Sequence, residues 1–312
     1  LEVSEENFKK EREVVKEERR LRFENPPYGR LAEDVLANTF TVYPYKHNPI
    51  GSMEDLNAAS IKDVQDFHSI YYVPNNATVV AVGDLNARET VALIEKHFGK
   101  IPKGKPVPRV TAKEPAQTEP REVTVRYDNA PLDAVIMSYK LPPMGHPDSY
   151  ALEIASSILS DGQSSRLYRR LVYEEQSALQ AFGNAINLEG PSIFFGGGIV
   201  NQGKSVKEVA ASLESTFHEM ADKPVTAEEL TKAKNKTIAS FITGRETVQA
   251  KADFLGRCAV LLGDANLYNL ELEKYRKVTA ADVQRVVKTY LARNAQTKIW
   301  VHPAKAETGK KD

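Results

Sequence analysis

The 312-residue sequence contains one cysteine, Cys258, and one tryptophan, Trp300. A single thiol excludes an internal disulfide and a four-cysteine zinc site, and it leaves the redox compartment open. There is no excess charge of either sign, because Lys plus Arg and Asp plus Glu both number 42. A balanced chain argues against nucleic acid or an anionic membrane as partner. No apolar run approaches the ~20 residues that span a bilayer. The six histidines (His47, His68, His97, His146, His218 and His302) show no i, i+3 or i, i+4 pairing that could grip a metal from one helix. The first residue is Leu1 rather than Met.

What the chain does contain is a repeat. Residues 60–82 align without a gap to residues 279–301, an offset of 219 (279 − 60). Asp63-Val64-Gln65 meets Asp282-Val283-Gln284. Tyr71 meets Tyr290, Asn75 meets Asn294, Thr78 meets Thr297 and Val82 meets Val301. Each copy reads as a helix opened by Ser or Thr, a short Asn-containing turn, and a strand. Self-similarity at so long a spacing implies two related domains rather than a short-repeat solenoid. The second copy has a whole domain's length ahead of it and the first does not. Halves of equal origin therefore predict that on the order of 100 residues of the first domain precede Leu1.

The coarse pattern divides the chain at a proline-rich stretch. Residues 1–102 read as the later part of a first domain, 103–120 as a linker, and 121–312 as a complete second domain. In the first part, a highly charged helix covers residues 5–20 and a second covers 30–38. A helix capped by Ser60 leads to a buried strand at 77–82, followed by a helix over 86–97. In the second part, strands are expected at 123–127, 134–139, 179–188 and 192–200. Helices are expected at 146–160, 164–175, 206–221 and 226–244, the last opened by the capping box Thr226-Ala-Glu-Glu229, with further helix to Gly263. Cys258 falls on such a helix as a small apolar residue. Strands in blocks and helices in blocks favour α+β, with a mixed, largely antiparallel sheet packed by helices in each of two homologous α/β-roll domains.

Two stretches could carry chemistry. Glu11 and Glu18 lie seven apart, on one face of the first helix, with Val14 and Val15 between them expected to pack inward. Such a pair fits either a metal or acid–base site held by a rigid element or a charged helix facing water. Residues 198–205, Gly-Ile-Val-Asn-Gln-Gly-Lys-Ser, fit the phosphate-loop pattern from Gly198 to Ser205, with Lys204 and Ser205 as phosphate and Mg²⁺ contacts. Against this, Ile199-Val200 reads as continuing strand, and Ser205 reads equally well as the cap of the next helix.

Whole patterns point further. Glu11-Arg12-x-Val14-Val15-x-x-Glu18, then Asp66-Phe67-His68-x-x-Tyr71-Tyr72-x-Pro74-x-Asn76 running into Val79-Val80-Ala81-Val82-Gly83-Asp84, resembles the pitrilysin/insulinase family of zinc peptidases. Ser164-Ser165-Arg166-Leu167-Tyr168 resembles that family too, and the likeness runs to about Pro303. The resemblance implies duplicated α+β domains enclosing a peptide, and Zn²⁺ held by an H-x-x-E-H helix plus a later Glu. It implies Glu18 as that third ligand and Glu11 as its acidic support. The H-x-x-E-H helix is not in these residues, so the resemblance implies that this chain alone neither holds zinc nor cleaves peptides. An Arg–Tyr pair of the family falls at Val172 and Leu179 here; its absence implies an oligomeric partner subunit of the same family. The same likeness suggests a bacterial periplasmic or cell-envelope location, with a mitochondrial or cytosolic one left open. The alternatives are a non-catalytic, structural or presenting subunit of the family, and, more remotely, an NTPase using residues 198–205.

Overall fold

The computed structural model describes residues 4–304; the edge at Leu1 and the tail from 305 lie outside the described residues. In chain order the elements are α1 Glu5–Arg19, α2 Leu31–Thr39, α3 Met53–Ala58, α4 Ile61–Tyr71, α5 Ala87–Phe98, β1 Arg121–Tyr127, β2 Ala134–Leu141 and α6 Ser149–Ser160. There follow β3 Ala178–Ile186, β4 Ser192–Val200, α7 Val206–Asp222, α8 Ala227–Thr243, α9 Val248–Leu261, α10 Leu267–Lys277, α11 Ala280–Tyr290 and β5 Thr297–Pro303. Helix α10 has no counterpart in the sequence reading. Its residues 269–276 mix polar and apolar positions without a clean stripe.

The strands form one mixed sheet of order β1-β5-β2-β4-β3. β1 runs parallel to β5, while the β2–β5, β2–β4 and β3–β4 pairs are antiparallel. This is the α+β sheet expected from the sequence. β2 is buried on both faces. Its Ile136 joins Val35, Phe40, Ile193, Ile299 and Val301 in one core cluster, which α2 covers. Its Tyr139 points the other way, with Phe217 of α7 edge-on at 5.9 Å and Phe194 of β4 at 6.3 Å. Full burial of such side chains stabilises by roughly 1.5–3 kcal/mol each. Helix α11 packs against both α6 and α7, and its Val283, Val286 and Val287 are fully buried.

Two compact units can be distinguished. One comprises the chain up to Arg19, Ile50–Thr111 and Ala239–Leu272; the other comprises Arg20–Pro49, Ala112–Ile238 and the chain from Glu273. The sheet belongs wholly to the second. The sequence order therefore differs from the spatial grouping, since α2 precedes the proline-rich stretch yet packs on the sheet that follows it.

The strand expected at 77–82 is not part of a sheet among the described residues. The apolar alternation is present, but a strand is realised only when another strand supplies its backbone partners. Residues 102–118 carry no helix or strand, and Glu114 among them is firmly held. Its carboxylate accepts from the backbone N–H groups of Thr41, Val42 and Tyr43 at 2.8–3.0 Å and from Lys140.

Candidate functional site

Helix α1 carries both candidate carboxylates. Acidic Glu5 and Glu6 in its first turn and Lys16 and Arg19 in its last complement the helix dipole. The helix packs against α3. The Arg12 guanidinium donates to the Ala59 carbonyl at 3.3 Å, and that of Arg19 donates to the Gly51 carbonyl at 2.7 Å. These two arginines fix the helix against the loop-and-helix stretch before α4. Glu11 is exposed and Glu18 is half-buried. Val14, expected to pack inward between them, is instead 53% exposed, and Val15 is half-buried. The seated flank of α1 runs through its arginines rather than its valines.

The two glutamates do not amount to a metal centre. Among the described residues no group of three or more His, Cys, Asp or Glu side chains is placed to hold an ion. The donor set thus does not fit catalytic zinc, which takes about three protein ligands. Three of the histidines have partners of other kinds. His68 stacks on Tyr72 at 4.8 Å, His302 pairs with Asp133 at 2.8 Å, and Arg293 donates to the His218 ring at 3.3 Å. Burial and the Arg293 charge hold the His218 ring below its ordinary pKa.

The remaining signature residues turn out to build the frame. In the Tyr72-x-Pro74-x-Asn76 block, Asn76 donates to the Tyr71 carbonyl at 2.9 Å, closing the end of α4. Asn75 accepts from Gly104 N–H at 2.8 Å and donates to Lys105. In the Ser164–Tyr168 block, Arg166 makes a bidentate pair with Glu229 at 2.7 and 2.9 Å, while Leu167 is fully buried. Glu229 in turn accepts from Thr226 N–H, completing the expected capping box of α8. The Arg166 hydrogen bond, aided by Thr226, holds the Glu229 carboxyl at about 2.

Residues 198–205 do not form a phosphate loop. Gly198, Ile199 and Val200 are paired strand residues of β4, Gly203 makes the turn with φ 78°, and Ser205 caps α7 in a capping box with Glu208. Backbone N–H groups committed to a sheet cannot cradle phosphate, so these residues form a strand end and a helix cap rather than a nucleotide site. Val172 is half-buried after α6, and Leu179 is 57% exposed on β3, the edge strand of the sheet.

One feature escaped the sequence reading. The first unit has an open, mostly apolar cavity of ≈ 760 Å³ lined by Phe67, His68, Tyr71, Tyr72, Phe98 and Ile101. Phe67, Tyr72 and Phe98 are 56%, 69% and 56% exposed. Their spacing along α4 was legible, but a helical apolar stripe ordinarily signals a filled core.

With this geometry in view, comparison with known proteins is informative. Residues 58–237 match the family model described as "Peptidase M16 inactive domain". The chain is 33% identical over 311 residues to "Zinc protease PqqE" of Helicobacter pylori, covering 97% of this chain and 68% of that protein. It is 27% identical over 291 residues to an uncharacterized zinc protease of Mycobacterium bovis, spanning 64% of that protein's length. Among solved structures, a protease from Helicobacter pylori superposes with a TM-score of 0.90 at 31% identity, covering 96% of this chain and 73% of that one. A peptidase M16 inactive domain from Pseudomonas fluorescens shares the fold at a TM-score of 0.82 and 14% identity. The chain belongs to the peptidase M16 family, the pitrilysin/insulinase type whose members include proteins named zinc proteases.

Proposed function

We propose that these residues are the later portion of a zinc-dependent metalloendopeptidase that hydrolyses peptides. The observation that carries the reading is the 33% identity to a protein named a zinc protease, sustained over 97% of the chain. In this reading Glu18 is the metal ligand contributed by the 312 residues, with Glu11 as its acidic support. Its half-buried place on a helix anchored by Arg12 and Arg19 suits a ligand that must be held still. The other ligands come from outside these residues, so the 312-residue chain alone neither retains zinc nor cleaves peptide. The test is zinc content and fluorogenic-peptide cleavage for this chain and for the longer natural polypeptide. The longer form is expected to hold one zinc per chain and to lose both zinc and activity on Glu18→Gln. Full zinc and activity in the Glu18→Gln protein would defeat the ligand assignment.

A second reading is a non-catalytic subunit of the same family. It is favoured by the match to an inactive-domain model and by Val172 and Leu179 standing where the family's Arg–Tyr pair was expected. A relative over part of the chain, 26% identical over 157 residues, is cytochrome b-c1 complex subunit 1 of Bos taurus. A longer polypeptide that holds no zinc would favour this reading. Under either reading we propose a homo- or hetero-oligomer with a family partner. We also propose a bacterial cell-envelope location, to be checked by fractionation. No helix among the described residues is long and apolar enough to cross a membrane.

A further inference from the structure

The balance of charge over the whole sequence conceals a segregated stretch. Residues 96–109, Lys-His-Phe-Gly-Lys-Ile-Pro-Lys-Gly-Lys-Pro-Val-Pro-Arg, hold five Lys and Arg and no Asp or Glu. The rest of the chain carries 37 such cations (42 − 5) against 42 acids. The stretch runs from the end of α5 into the proline-rich segment, and all of it lies in the first unit.

The structure leaves these cations unanswered. Lys96, Lys100, Lys103, Lys105 and Arg109 are all exposed, and none joins an ion pair among the described residues. Other lysines do find carboxylates, as Lys62 finds Asp66, Lys140 finds Glu114 and Lys298 finds Glu214. The stretch is nevertheless held in place. The Asn75 side chain accepts from Gly104 N–H at 2.8 Å and donates to the Lys105 carbonyl at 3.2 Å. Gly104 lies so close to Val73 that an added Cβ would fall 2.3 Å from Val73 Cγ1. Lys103 and Lys105 therefore flank a pinned point, and Pro102, Pro106 and Pro108 restrict the backbone on either side. A loop already fixed costs less to order on docking.

We propose that residues 96–109 form a docking surface for a membrane bearing anionic phospholipid. Shape and charge together name the occupant. The ≈ 760 Å³ cavity of the first unit is lined by Phe98 and Ile101 of this stretch but by none of its five cations. The cations instead stand in file along the exposed side. Such an array suits a broad anionic surface better than a small enclosed anion. Nucleic acid carries the same charge, but the one aromatic ring of the stretch besides His97 is Phe98, which lines the cavity rather than standing among the cations as a stacking platform. Near an anionic bilayer each Lys or Arg strengthens binding about five-fold, so five raise it by roughly three orders of magnitude without entering the hydrocarbon. The contact is reversible and is screened by salt. The inference rests on neither the peptidase reading nor the proposed location.

Vesicle co-sedimentation of the longer natural polypeptide tests it. Vesicles of equal parts phosphatidylglycerol and phosphatidylcholine should bind the protein, and vesicles of phosphatidylcholine alone should not. Lys103→Glu with Lys105→Glu should weaken binding at least ~25-fold. Lys100→Gln with Arg109→Gln, away from the pinned glycine, should weaken it by about 25-fold and reads the same surface with less disturbance of the loop. Lys204→Glu with Lys207→Glu reverses two exposed lysines of the second unit and should weaken it by less than ~5-fold. Salt at about 1 M, where the Debye length is about 3 Å, should release the protein. Equal binding to the two kinds of vesicle overturns the proposal, and so do equal losses from the two pairs of Lys→Glu changes. Binding to a DNA duplex in place of vesicles, lost with Lys103 and Lys105, would assign the surface to nucleic acid and overturn it as well.

Discussion

Lys140 of β2 donates to Glu114 at 2.5 Å, and the same carboxylate accepts three backbone N–H groups from Thr41 to Tyr43. One side chain from the proline-rich stretch thereby ties together the sheet and the loop after α2. The Glu114 side chain is 3% exposed and that of Lys140 14%. Burial alone would raise the Glu114 pKa, but Lys140 and the three amides outweigh it and hold the carboxyl at about 2.

That arrangement predicts a pH signature. A folded-state pKa below the ordinary value of about 4.3 means stabilisation fully present above the ordinary value and lost as pH falls through about 2. Glu114→Gln should lower stability at pH 7 by on the order of 2 kcal/mol, because Lys140 keeps its charge beside a neutral amide. The gap between wild type and variant should narrow as pH falls from about 4.5 toward 2. Urea titrations at several pH values measure it; a gap constant across that window contradicts the assignment.

Gly197 of β4 permits a close crossing. A Cβ there would sit 2.6 Å from the Val135 carbonyl oxygen and 3.0 Å from the Phe182 ring. The first obstacle is backbone within a paired sheet and cannot step aside. Gly197→Ala should cost about 1–3 kcal/mol in thermal or chemical unfolding. Adding Phe182→Leu should recover little of it, because the carbonyl remains.

The duplicated caps offer a matched pair. Thr279→Ala and Ser60→Ala each remove a side chain that accepts the N3 amide of its helix, at 3.1 and 3.3 Å. Each should cost about 1 kcal/mol locally. In the 312-residue chain Thr279→Ala should lower the main cooperative transition, because α11 is part of the sheet's core. Ser60→Ala should raise amide exchange in α4 and leave that transition in place. An equal drop for both would mean that α4 unfolds with the sheet.

Much of this was legible in the sequence because it is local. The caps at Ser60, Thr226 and Thr279 were readable from Ser or Thr with an acid three residues on, since the partners are a turn apart. β2 and β4 were readable from apolar density. Arg166 was readable only as part of a signature, because its partner Glu229 lies 63 residues away. The inward packing of Val14 was misread for a related reason: periodicity names an apolar position but not whether anything opposes it.

The sequence by itself determined most of the elements, the repeat at an offset of 219 and the family, because helices, caps and strands obey short-range rules and the repeat is a comparison of letters. Tertiary structure alone decided which core each copy joins. Residues 78–82 and 297–301 have the same pattern, yet among the described residues only the second is a strand in a sheet, since a strand exists through backbone partners that it does not encode. Likewise α2 lies before the linker and packs beyond it, because an apolar face is drawn to whatever surface buries it, irrespective of its place along the chain.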